Sequence, residues 1–328
     1  MKLTCLLALI LAVANCRLDA APVTDARIAT RTNAVAVLRT EWRDAKRDRA
    51  VPVKIYYPQT GDGPLPVIIF SHGLGGSREG YEYLGRYWAS HSYVSVHLQH
   101  PGSDEAIWRD VALGDRMSAM RRAVAQPQNA LNRPQDVSFA IDELAKLNAT
   151  NSPLRQRLDL DRIGMAGHSF GAHTTLIIAG ETMPLAGSLA DPRVKAAIPM
   201  SSPVPANRAR LDELFAGVKI PCLHMTGTKD ASPIGDTKAE ERRLPFDHCK
   251  NSDQFLITFT DGDHMIFSGR ERRSGGEKDA RFHELICESS TAFWDAYLRG
   301  NAPAKSWLIN DFKQQLGADG TFEMKLHP

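Results

Sequence analysis

Residues 162–171 read Arg-Ile-Gly-Met-Ala-Gly-His-Ser-Phe-Gly, followed by the small and apolar residues 172–180. This spells a short strand, a tight turn with Ser169 at its apex, and a helix, and few local patterns constrain a fold as tightly. A serine on so sharp a strand-to-helix turn sits in strained backbone. Side chains at Gly167 and Gly171 would collide with neighbouring backbone, which is why both flanks are glycine. The N-terminus of the following helix points at the serine and favours negative charge there. G-x-S-x-G alone arises by chance about once in ten chains of this length, taking Gly and Ser at about 7% each. The rest of the chain must therefore supply the partners such a serine needs.

Apolar runs at 34–39, 51–57, 66–70, 93–98, 162–166, 194–199, 220–225 and 255–259 predict about eight strands. The polar stretch between the first two suits an antiparallel hairpin. The later strands alternate with helical segments at 75–90, 135–147, 172–180 and around 282–297, with helical stretches also in the long connection 100–133. Strands that alternate with helices make a mostly parallel sheet covered on both faces, an α/β architecture. No repeat, low-complexity segment or Pro/Gly/Ser-rich linker divides the chain, so residues 22–328 are read as one domain.

Residues 1–21 are read as an export signal. Met1-Lys2 precede an apolar run at 3–14, too short to span a bilayer and the right length for a signal-peptide core. Cleavage fits Ala20 or Ala21, or the earlier Ala12-Val13-Ala14. Val13-Ala14-Asn15-Cys16 is the lipoprotein alternative, with Asn15 atypical. The mature chain is then exported, periplasmic or secreted. The net charge of +2 and the lack of a basic run with interleaved aromatics argue against nucleic acid as partner. Nothing beyond the N-terminal run suggests a transmembrane span. No Cys/His spacing suggests zinc. Of Cys222, Cys249 and Cys287 in the mature chain, an oxidising compartment allows one bridge, Cys249–Cys287; three buried thiols are the alternative.

A serine hydroxyl needs a base to become a nucleophile, and the base needs an orienting carboxylate. In a parallel sheet these sit at the C-terminal ends of strands, in chain order Ser, Asp or Glu, His. Asp230 follows the strand 220–225, with Asp236 as backup. Asp261 and Asp263 are too near the histidine in sequence. His264 leaves the strand 255–259. Histidine normally titrates between about pH 5 and 8, so a base of this kind fails in acid. Strand 66–70 runs into Ser71-His72-Gly73-Leu74-Gly75-Gly76, whose Leu74 amide, freed by glycines on both sides, pairs with the Phe170 amide as an oxyanion hole. A dinucleotide loop is the rival reading of Gly73-Leu74-Gly75, but Arg78 stands where the third glycine belongs. His72 and His168 read as supports, and His97 with His100 as packing rather than a metal pair. Trp108, Pro203 and Met265 are candidates to line a substrate pocket; Ser103-Asp104-Glu105 reads as a solvated loop.

These motifs (residues 70–76, Gly167-His168-Ser169-Phe170-Gly171 and Asp263-His264) resemble the platelet-activating-factor acetylhydrolase-like branch of the α/β-hydrolases, related to dienelactone-hydrolase-like proteins. The resemblance covers about residues 51–298. It implies an α/β-hydrolase fold, a Ser169–Asp230–His264 triad, an oxyanion hole from Leu74 and Phe170, and hydrolysis of short-acyl esters with no metal or cofactor. Dienelactone hydrolases proper use Cys where this chain has Ser169. Bacterial cutinases and polyester hydrolases are also similar, but typically carry Met after the serine and an aromatic in the oxyanion loop, where this chain has Phe170 and Leu74. A serine peptidase on the same fold and a non-catalytic exported binding protein are the competing readings. The connection 100–133 is short for the cap that often restricts peptide access, and the complete set of partners argues against a binding protein.

Overall fold

In the computed structural model of the protein, residues 33–61, 63–184, 186–270, 276 and 278–327 are described. The export signal expected at 1–21, with Cys16, lies outside the described residues. Nine strands form one sheet: β1 (Val35–Asp44), β2 (Arg49–Pro58), β3 (Leu65–Ser71), β4 (Val94–Leu98), β5 (Leu158–His168), β6 (Val194–Met200), β7 (Cys222–Lys229), β8 (Gln254–Asp263) and β9 (Gly320–Lys325), in the order β1-β2-β4-β3-β5-β6-β7-β8-β9. The six strands from β4 to β8 are parallel; β1, β2 and β9 are antiparallel to their neighbours. This is the α/β-hydrolase fold.

The apolar runs are continuous because both sheet faces are covered. Along β3, Ile68 and Phe70 point into one core with Leu84 and Trp88 of helix α1 (Glu82–Ser90). Val67 and Ile69 point into the other, under Val137, Ile141 and Leu144 of a long helix, Pro127–Ala149. Side chains alternate across a strand, so every residue of β3 is buried. A short helix, α2 (Arg116–Val124), precedes the long one, here α3. Helix α4 (Phe170–Ala179) leaves the serine turn, and α5 (Asp279–Leu298) closes the face that carries α1.

Strand order reverses at β3. Its helix returns to β4 on one side, whereas β5 lies on the other. Ligands in open α/β sheets bind in the crevice outside the strand C-termini at such a switch point. Here it lies between Ser71, which ends β3, and His168, which ends β5.

Several expectations need correction. The helix expected at 75–90 begins only at Glu82, because Gly75 (φ 71°) and Tyr81 (φ 59°) take left-handed backbone that a helix cannot continue. The helix expected at 135–147 spans Pro127–Ala149. The ninth strand, β9, pairs along β8 through a six-residue register, and its pattern of one buried residue, Phe322, gives no periodic signal. The Cys249–Cys287 bridge is absent. Cys249 packs with Cys222 and Leu176 on one side of the sheet and Cys287 with the aromatic core on the other; all three are free, buried thiols. Ser103 and Asp104 are buried rather than solvated, because their loop pairs with the glycines after β3: Gly75 N–H donates to Ser103 O and Glu105 N–H to Gly76 O. Among the described residues no helix is long and apolar enough to cross a membrane.

Candidate active site

The turn at Ser169 has φ 56° and ψ −116°, and its amide donates to Met200 O of β6 at 2.8 Å. A Cβ on Gly171 would lie 1.9 Å from Ser71 O, and one on Gly167 2.4 Å from Gly171 O. The end of β3 and the start of α4 therefore touch backbone to backbone. This contact fixes where the serine side chain projects.

Asp230 follows β7 and His264 follows β8. Their strand ends are drawn together by another glycine contact, in which a Cβ on Gly227 would lie 2.2 Å from Gly262 O. Close approach, rather than turn geometry, is thus what requires Gly227. Asp230 is fully buried. One of its oxygens accepts from Thr226 Oγ1 at 2.8 Å and from Ser201 Oγ; the other lies 2.7 Å from His264 Nδ1. A carboxylate at Nδ1 places the ring proton there, which leaves Nε2 to accept from Ser169 Oγ, 2.9 Å away. Asp236 is exposed, and Asp261 is taken up by Lys229 and Lys278.

Two arginines that sequence reasoning missed brace this set. Arg242 is buried; it donates to Asp230 O at 3.0 Å and Ser201 O at 2.9 Å, with Nη2 3.4 Å from His264 Nδ1. Arg133, also fully buried, donates to His72 O and to Ser71 Oγ (3.3 Å) and lies 4.5 Å from the centre of the Phe170 ring. Neither has a motif around it that marks its role. The tyrosine of Gly80-Tyr81 likewise carries no signal.

Burial holds His168 well below the ordinary histidine pKa, so its ring is neutral. Its Nε2–H donates to His264 O at 2.9 Å, and its Nδ1 accepts from Tyr81 OH at 2.8 Å. Tyr81 in turn accepts from the Gly73 amide at 3.3 Å. One chain of hydrogen bonds thus joins the glycine loop, the serine turn and the histidine loop. Behind it, Ser71 Oγ donates to His100 Nε2 (2.9 Å), and His100 Nδ1–H donates to Asp136 (3.0 Å), all fully buried. His100 is thereby committed to a carboxylate. His97 bonds Ser95 Oγ and stacks on Phe70.

A cavity of about 740 Å³ opens over Ser169 and His264. Leu74, Trp108 and Met265 line it; Pro203 does not, and Pro233 and Ile234 stand on that side instead. Pro203 sits in the loop after β6, its carbonyl accepting from Ser202 Oγ. Among the described residues neither the Leu74 nor the Phe170 amide has a hydrogen-bond acceptor. The Phe170 side chain is buried against Arg133 and stays out of the cavity wall.

Fold and site together define an α/β-hydrolase with a serine, histidine and aspartate assembled at the strand C-termini. The chain belongs to the PET hydrolase-like family, whose model matches residues 119–292, more than half of the sequence. A second model, platelet-activating factor acetylhydrolase, isoform II, matches residues 46–113. Among curated relatives, a platelet-activating factor acetylhydrolase of Canis lupus familiaris is 28% identical over 36% of this chain and 32% of its own length. A putative phospholipase A2 of Schizosaccharomyces pombe is 26% identical over 40% of this chain and 39% of its own. Cutinase est1 of Thermobifida alba is 21% identical over 71% of this chain and 68% of its own. The chain thus spans about a third of the acetylhydrolases it matches.

Gly171→Ala is expected to destabilise the protein by roughly 3 kcal/mol or more, since the obstacle is a carbonyl that cannot swing away. Gly114→Ala, with open space around it, is the control. Urea unfolding of both variants measures the difference, and equal midpoints would refute the steric account.

Glu181, just beyond α4, is buried 3.7 Å from His173, and burial raises its pKa from 4.5 to about 8. Burial lowers the pKa values of His72, His97, His100, His168, His173 and His224 below 6.5. Below pH 6.5 the unfolded chain binds the extra protons at these histidines, so stability rises with pH. Between pH 6.5 and about 8 the folded chain retains a proton on Glu181 that the unfolded chain has lost, so stability falls. Glu181→Gln is expected to abolish that fall and to exceed wild type in stability above pH 8. Thermal unfolding across pH checks it; an unchanged alkaline limb in the variant would refute the assignment.

Proposed function

We propose that the protein is a serine carboxylic-ester hydrolase acting on short-acyl esters. The observation that carries this reading is His264 standing between Ser169 Oγ (2.9 Å) and Asp230 (2.7 Å) at the floor of an open cavity. The names of its relatives, acetylhydrolase, phospholipase and cutinase, are all those of ester hydrolases.

In this mechanism Ser169 Oγ gives its proton to His264 Nε2 and attacks the ester carbonyl. Asp230 holds the imidazole and stabilises its charged form. The Leu74 and Phe170 amides receive the tetrahedral oxyanion, with the N-terminus of α4 behind it. His264 protonates the leaving alcohol, then deprotonates the water that releases the acyl group and restores Ser169. Leu74, Trp108 and Met265 meet the substrate. Small-molecule esters are the partners, and no step calls on a cofactor.

A cutinase-like polyester hydrolase is the second reading, favoured by the family match and by the cutinase relative. A fluorophosphonate probe is expected to label the wild type and not Ser169→Ala. Hydrolysis of p-nitrophenyl acetate should drop by roughly four to six powers of ten in that variant. Failure of the wild type to label would sink every nucleophilic-serine reading. Longer acyl esters, peptides and polyester film assayed in parallel separate the esterase from its rivals.

Export belongs to the same proposal, with residues 1–21 as the signal and the mature chain starting at residue 22. Mass spectrometry of the exported protein should find a free N-terminus at or near Pro22, or at Ala21 if cleavage follows Ala20; an acylated Cys16 would establish the lipoprotein alternative, and an intact Met1 would refute processing.

A further inference from the structure

We propose that Arg133 is a positioning residue of the active site, a buried positive charge that holds both oxyanion amides in place and strengthens them from behind. This rests on the ester-hydrolase reading above and assigns a role that the three-residue set of serine, histidine and aspartate leaves open.

Arg133 stands on α3 and is fully buried. The contacts of its guanidinium fall on the two segments that supply the amides. Nη2 donates to Ser71 Oγ at 3.3 Å and to His72 O, two residues before Leu74. The guanidinium carbon lies 4.5 Å from the centre of the Phe170 ring, whose own amide is the other donor. A cation over an aromatic face is attracted to it, so the arginine seats the first turn of α4 and the end of β3 on one group. It lines no part of the cavity. It therefore acts through the amides and does not touch the ester.

Packing alone gives little reason for a charge at this place. Burial lowers the pKa of Arg133 from 12.5 to about 9, so the fold opposes a charge that the side chain still carries at neutral pH. Its Nε and Nη1 are buried without a hydrogen-bond partner among the described residues. Asp136, one turn further along α3, is engaged through both oxygens by Arg47, Arg49 and His100. An uncharged donor could bond the same carbonyl and hydroxyl with a smaller desolvation penalty. What the guanidinium adds is a fixed positive field in a dry environment, beside amides that must receive negative charge.

The test uses Arg133→Met, which removes the charge, and Arg133→Lys, which keeps it. Rates on p-nitrophenyl acetate are divided by the sites titrated with a fluorophosphonate, so that misfolded protein does not count. Two ligands complete the comparison. Ethyl trifluoromethyl ketone adds Ser169 Oγ at its carbonyl carbon, with the serine proton passing to His264 and the carbonyl oxygen becoming an oxyanion. The corresponding trifluoromethyl carbinol has no carbonyl and cannot form that adduct. Removing a direct oxyanion donor lowers kcat by about a hundredfold to a thousandfold, and a charge one layer behind should contribute less. Arg133→Met is therefore expected to lose about tenfold to a hundredfold in kcat, with KM within about threefold of wild type. Its affinity for the ketone should fall by the same factor as kcat and its affinity for the carbinol should stay. Arg133→Lys should recover part of both losses. Unchanged kcat in Arg133→Met would overturn the proposal, and so would equal weakening of ketone and carbinol, the mark of a distorted cavity. A lysine variant no better than methionine would overturn charge as the cause. If Arg133→Met yields no titratable sites, Arg133→Lys decides alone: matched losses in kcat and ketone affinity with the carbinol unaffected support the role, and any other pattern overturns it. Each of these failures leaves the esterase reading intact, whereas a wild type that neither labels nor hydrolyses the ester would overturn both.

Discussion

The contact between the Ser71 carbonyl and Gly171 is the constraint on which the site depends. Adjacent parallel strands are held about 4.8 Å apart by their hydrogen bonds, but the turn at Ser169 brings the first turn of α4 down onto the end of β3. Only a hydrogen atom fits between them. Everything that positions Ser71 therefore positions the serine. Its hydroxyl is held by His100, which is held by Asp136, which also accepts from Arg47 and Arg49. A buried set of serine, histidine and aspartate thus stands behind the candidate catalytic one, with no access to solvent. Its chemistry is the same and its burial makes it scaffold.

Arg133 adds a charge to this arrangement. Its guanidinium touches the carbonyl of His72, the hydroxyl of Ser71 and the face of Phe170, three groups at the two segments that carry the free amides. Two of its nitrogens have no hydrogen-bond partner. A buried cation so sparsely paired opposes folding, yet in the proposed mechanism its field falls on the developing oxyanion, where positive charge in a dry environment is most effective. The neutral His168 complements it. A charged ring there would repel the imidazolium that the proposed mechanism forms on His264; burial keeps the ring uncharged while its two nitrogens still tie Tyr81 to the histidine loop.

Much of the sheet was legible because its six parallel strands announce themselves as apolar runs and the first two as a hairpin; only β9 gave no signal. The order Ser169, Asp230, His264 was legible because the ends of such strands are where an open α/β sheet presents side chains. What escaped has a common cause. Arg133, Arg242 and Tyr81 act through contacts between segments distant in sequence, and each is an ordinary residue in its local pattern. The disulfide expectation failed for a related reason: the sequence places Cys249 in a loop and Cys287 in a helix, but which side of the sheet each faces is settled only by packing. Pro203 was on the right side of the sheet, but the chain after β6 turns its backbone towards Ser202 and Thr237 and leaves the wall to Pro233 and Ile234.

Phe170 differs in what its side chain and its amide can do. In the sequence it stands where polyester hydrolases typically have methionine. In the structure its ring turns away from the cavity onto Arg133 and His173, and only its amide is left for the site. Its ring therefore bears on how α4 seats on the buried arginine, and in the proposed mechanism only its amide would meet the substrate. In the proposed reaction, discrimination among esters falls instead to side chains that do line the cavity: Leu74 at the glycine loop, Trp108 against Gly75 and Met265 beside the histidine. An apolar wall of this kind separates neighbours differing by one methylene by only about 1–3 kcal/mol.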